Sequence, residues 1–173
     1  MNPYYPKINF VLDKEHDRDT IKMFEFSESA LGSTLAFINK PEFDGIRVAL
    51  ASAFLDDFYK KFGKEMADDL QNTKVRWDKV GGYFFKEVDK IFGNYPWPAG
   101  DYTGYISVWR RNPRWISGRA FNFSFVRSWI KNPPNPVKTI AHEMLHFVTY
   151  DYLDSTYANN TKPRVFVQYY GCP

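Results

Sequence analysis

Thr139-Ile140-Ala141-His142-Glu143-Met144-Leu145-His146-Phe147-Val148 is the stretch from which the rest of the chain can be read. Two histidines stand four residues apart, with a glutamate directly after the first. In an α-helix of 3.6 residues per turn, positions i and i+4 stack on one face, so His142 and His146 can aim both imidazoles at one point. Glu143 projects about 100° further round the helix, beside that point rather than at it. Two neutral imidazoles converging in this way suit a zinc ion, and a carboxylate beside its open coordination position is placed to act as a base. His142 and His146 are therefore candidate metal ligands and Glu143 a candidate catalytic base. Positions 140, 141, 144, 145, 147 and 148 are uncharged and mostly apolar, as a half-buried helix requires if its polar face carries only the site. The competing reading is an amphipathic helix whose histidines are ordinary surface or core residues. It makes their spacing a coincidence in a chain with only three histidines.

The stretch Thr139 to Val148 resembles the active-site helix of the zincin metallopeptidases. That resemblance implies a zincin-like α+β fold, with a small mixed sheet including an edge strand, packed against long helices and the motif helix. It implies one zinc ion held by His142 and His146, Glu143 acting on the water at the metal, and hydrolysis of a peptide or protein substrate. Zinc of this kind takes a third protein ligand. The metzincin arrangement needs a glycine at 149 and a histidine or aspartate at 152, where the chain has Thr149 and Tyr152. The gluzincin arrangement needs a later glutamate, and none follows Glu143. The remaining acids are Asp151 and Asp154, which on a continuing helix lie about 180° and 120° from His142; Asp154 is the better placed. The third ligand is thus expected either at Asp154 or beyond Pro173, in a gluzincin-like peptidase of which this chain is a C-terminally truncated piece. The alternative is a zincin-like interaction domain without turnover.

Composition bounds the remaining classes. A chain of 173 residues, 44% hydrophobic and 25% charged, reads as one globular domain spanning 1–173. Its net charge of +3 is spread over mixed signs, which argues against a nucleic-acid partner. No apolar run approaches the length of a membrane span, Cys172 has no partner for an internal disulfide, and Met1 to Lys7 lacks the pattern of a signal peptide. A cytoplasmic location is expected.

Working outward from the motif, Asn135 fits an N-cap and Pro136 a first helical position, so the motif helix should run from there to about Leu153. Phe121, Phe123 and Phe125 alternate with Asn122 and Ser124, the two-residue period of a half-buried strand with its small polar face outward. In zincins such a sheet offers an edge to extended substrate, and residues 121–125 are the candidate edge. Tyr102 to Trp109 and Ile8 to Leu12 read as further strands. Between them, Ile46, Leu50, Phe54, Phe58, Phe62 and Met66 or Leu70 recur at i+4, followed by Trp77, Val80, Phe84, Val88 and Ile91. These are two helical stripes, with Gly81-Gly82 expected to kink or restart the second. His16, alone in a charged run, is expected to be solvated. Tyr150, Tyr152, Tyr157, Tyr169 and Tyr170 are all chemically able to stabilise an oxyanion.

Overall fold

The apolar residues Ile8–Leu12 form strand β1, as their composition predicts. In the computed structural model, residues 5–23, 35–125 and 135–157 are described. Asp13 ends β1 and caps helix α1 (Lys14–Met23): its Oδ1 accepts hydrogen bonds from the backbone N–H of Glu15 at 2.9 Å and of His16 at 3.2 Å. The charged run is therefore helical from its first residue. Two short 3₁₀ turns, Ala36–Asn39 and Pro41–Phe43, lead into helix α2 (Arg47–Ile91), which is 45 residues long.

Helix α2 passes through Gly81-Gly82 without interruption, contrary to the expected kink. A Cβ on Gly81 would stand 3.0 Å from Cε2 and Nε1 of Trp77, so the missing side chain lets the buried indole lie against the helix backbone. The i+4 stripe also proves offset. Ala51, Leu55, Met66, Thr73, Trp77, Gly81, Phe85 and Val88 are buried, whereas Ile46, Val80 and Ile91 are exposed. Four residues turn the helix by about 400°, so a strict i+4 row drifts about 40° per step and walks off the core face over a long helix. Leu50, Phe54 and Phe58 lie along the margin of the buried face.

The sheet has the order β1-β2-β4-β3. Strands β2 (Tyr102–Ser107) and β4 (Ala120–Ser124) run parallel to β1, with Phe10 opposite Gly104 and Gly104 opposite Phe121. The two-residue strand β3 (Arg114–Trp115) is antiparallel to β4. The expected edge strand is thus corrected: β4 is paired on both sides, and the antiparallel edge is β3. The polar face of β4 is not outward either. Asn122 is fully buried, covered by α1.

Helix α3 (Pro136–Tyr157) lies on the other face of the sheet. Asn135 caps it, its Oδ1 accepting from Val137 N at 3.1 Å, and Pro136 occupies the first position as expected. Ile140, Met144, Phe147 and Val148 form its buried stripe. The Phe147 ring meets Tyr102 edge-on at 5.1 Å and Phe121 at 6.3 Å. The architecture is α+β, a small mixed sheet between helices. Among the described residues no helix is long and apolar enough to cross a membrane.

Candidate metal centre

The buried stripe fixes where the rest of α3 points. With Ile140, Met144, Phe147 and Val148 against the sheet, His142 and His146 stand on the adjoining face, His142 exposed and His146 half-buried. Their Nε2 atoms are 3.1 Å apart, a hydrogen bond between the two imidazoles whose donor is set by the tautomer, and their rings are nearly perpendicular at 89°. Two nitrogens each about 2.0–2.1 Å from a tetrahedral zinc ion stand about 3.3–3.4 Å apart, so the pair already has nearly the spacing of two ligands on one metal. Burial, Arg114 and His142 together push the His146 pKa down to about 4. At neutral pH it is the uncharged imidazole, the form that ligates a metal.

Glu143 turns away from the solvent. It is 4% exposed, and its Oε2 has no hydrogen-bond partner among the described residues. Burial raises its pKa to about 7; Arg114, whose Nη1 lies 3.6 Å from Oε2, pulls the other way without offsetting it. A carboxyl poised near neutrality is matched to taking a proton and giving it back.

Arg114 is the residue that the sequence alone does not reveal. It lies opposite Phe121 in the β3–β4 pairing, and Phe121 faces α3, so Arg114 faces α3 as well. Its side chain is 5% exposed and also donates from Nη2 to the Tyr150 hydroxyl at 3.1 Å. Glu143 and Tyr150 are seven residues apart, nearly two full turns, and so project within about 20° of each other; one guanidinium can serve both. In sequence, Arg114-Trp115 is too short a stretch for any period to mark it as a strand. The Tyr150 ring stacks on His146, with centroids 5.7 Å apart and planes at 16°.

Asp154, the third ligand expected within the chain, does not join this group, and neither does Asp151. Helix α3 continues to Tyr157 without a break, which keeps Asp154 a third of a turn off the metal face and three turns beyond His142. Asp151 instead accepts a hydrogen bond from Tyr95 at 2.7 Å. Among the described residues no cluster of three or more His, Cys, Asp or Glu side chains stands together. Tyr152 packs edge-on against Phe92 and Tyr95. The Tyr157 side chain, Tyr169, Tyr170 and Cys172 lie outside the described residues.

His16 is not solvated as expected. Its ring stacks on Tyr105 at 3.7 Å, and its Nε2 lies 2.7 Å from Asn122 Oδ1. It is on the sheet face opposite the His142–His146 pair and is no part of that group. No family model matches the chain, and no curated protein or solved structure matches it.

Proposed function

We propose that the protein is a zinc-dependent, zincin-like peptide hydrolase. The observation that carries this reading is the convergence of the His142 and His146 Nε2 atoms at 3.1 Å beside the buried carboxyl of Glu143, whose Oε2 has no hydrogen bond among the described residues and only the 3.6 Å ion pair with Arg114. A buried carboxyl so incompletely hydrogen-bonded calls for a function, and a purely structural metal site has no use for it. His142 and His146 would hold the metal. A zinc ion there would polarise the scissile carbonyl and acidify the attacking water.

The protein's own groups supply the rest. Glu143 takes the proton as the water oxygen bonds to the carbonyl carbon. It then passes that proton to the amine nitrogen as the carbon–nitrogen bond breaks. The net change is one water consumed and one acid and one amine released. Arg114, fixed on β3, keeps the carboxyl from swinging to solvent. The substrate would be a peptide or protein, and the third metal ligand lies outside the set assembled by the described residues.

Zinc stoichiometry and affinity of the whole chain, measured beside His146→Ala and Glu143→Gln, test this. We expect one zinc per chain, lost in His146→Ala and kept in Glu143→Gln, with peptide turnover abolished in both. An intact chain that binds no zinc would sink the reading. Zinc binding with turnover indifferent to Glu143→Gln would leave an interaction domain.

A further inference from the structure

We propose that the sheet face opposite the His142–His146 pair carries a second binding site, which takes an uncharged planar nitrogen heterocycle of one or two fused rings. This site stands apart from the hydrolase reading and uses none of its residues.

Strand alternation builds it. Along β3, Arg114 faces α3, so Trp115 faces the other way, towards α1. Tyr105 lies opposite Asn122, and Trp115 opposite Ala120 two residues earlier on β4, so the two rings share that face. His16 of α1 completes the group, stacked on Tyr105 at 3.7 Å and edge-on to Trp115 at 5.0 Å. All three rings are half-buried, and with Met23 and Ala120 they line a cleft of about 390 Å³. That volume, with aromatic and apolar walls and few polar groups, suits a small ligand.

The unused hydrogen-bonding capacity says which ligand. Asn122 directs its amide oxygen to His16 Nε2 at 2.7 Å and its amide nitrogen to the Thr20 hydroxyl at 3.4 Å. An amide oxygen only accepts, so Nε2 donates, and Nδ1 of the uncharged ring is left as an acceptor. Among the described residues Nδ1 has no donor, and neither the Tyr105 hydroxyl nor the Trp115 N–H has a partner. The cleft thus offers ring faces, one acceptor and two donors, the complement of a heterocycle that carries an N–H and bare ring nitrogens. Asp19, the one carboxylate lining the cleft, is already paired with Lys22 at 2.8 Å, so no unanswered charge calls for an ionic ligand.

The test titrates purine into the full chain by calorimetry, beside 9-methylpurine, which keeps the rings and loses the N–H. The wild type should bind purine with a Kd of about 1 mM or below, and 9-methylpurine about tenfold more weakly. Trp115→Ala should weaken purine binding about tenfold, Trp115→Phe should restore most of it, and His146→Ala should leave it unchanged. No purine binding up to about 10 mM, equal affinity for the two compounds, or indifference to Trp115→Ala would each overturn the site. Loss of purine binding in His146→Ala would overturn it too, by placing the ligand on the other face. Zinc binding and peptide turnover are read in none of these arms, so a failure here is distinct from a failure of the hydrolase reading.

Discussion

Gly81 and Gly82 are neighbours in the interior of one helix, yet replacing them should have opposite effects. A Cβ on Gly82 meets nothing within 4 Å, so Gly82→Ala should stabilise by about 0.5–1 kcal/mol through helix propensity and a less free unfolded chain. At Gly81 the same methyl meets the Trp77 indole at 3.0 Å, and that ring is pinned edge-on against Phe85. Gly81→Ala should therefore lose the propensity gain and destabilise by about 1–2 kcal/mol, the usual cost of overpacking. Chemical denaturation of the two variants decides it, and equal effects would mean that the indole has room to move. The pair also shows what can be read from single residues. A glycine doublet signals a break, but whether it breaks depends on what lies over it, here a ring one turn earlier. His142, Glu143 and His146 were legible because helix geometry alone brings them together. Arg114 was not, because its contact depends on the register of a two-residue strand.

Among the elements, α3 carries the candidate centre, and its start is tied down by one side chain. Asn135 Oδ1 accepts from Val137 N at 3.1 Å and from Arg76 Nη2 of α2 at 2.8 Å. Asn135→Ala removes both and should cost about 1 kcal/mol, the typical worth of an N-cap. Asn135→Asp keeps an acceptor, adds a charge that favours a helix N-terminus, and should be neutral or better. Arg76→Ala, at an exposed contact, should change stability by less than about 0.5 kcal/mol. Thermal or denaturant unfolding measures all three, and a cost for Arg76→Ala equal to that of Asn135→Ala would shift the weight from the cap to the inter-helix contact. The cap was legible because it needs only Asn-Pro before an apolar periodic run. The core face of α2 was not, because the drift of an i+4 row over 45 residues is invisible in any short window. The polar side of β4 was misread for a different reason: Asn122 looks like a solvent-facing residue until α1 supplies His16 and Thr20 as partners.

At the scale of the whole molecule, Asp17 joins three elements through one buried carboxyl. From α1 it accepts hydrogen bonds from Ser107 at the end of β2 at 2.5 Å, from Tyr59 of α2 at 2.7 Å and from Val108 N at 3.3 Å. Burial nevertheless outweighs these bonds and raises its pKa from 3.8 to about 6. The folded state thus binds a proton more tightly than the unfolded state does. Its contribution to stability is complete below pH 3.8 and is lost as pH rises to about 6, by an amount on the order of 3 kcal/mol. His146 acts in the opposite sense: its folded pKa of about 4 lies below the ordinary 6.5, so the unfolded state binds the extra proton and stability rises with pH between them. Glu143, raised to about 7, acts in the same sense as Asp17, so the metal-free wild type carries three large contributions, two falling with pH and one rising. Subtraction exposes one of them. Asp17→Asn retains an amide in the same space but has only one acceptor oxygen for three donors, which lowers stability by a roughly constant offset. On top of that offset, the stability of the wild type relative to Asp17→Asn should fall from pH 4 to pH 7. His146 and every other unaltered group cancel in the difference. Denaturant unfolding of both proteins across that range measures the slope. A difference that does not change with pH would mean that Asp17 keeps its charge in the folded protein, with its three donors outweighing burial.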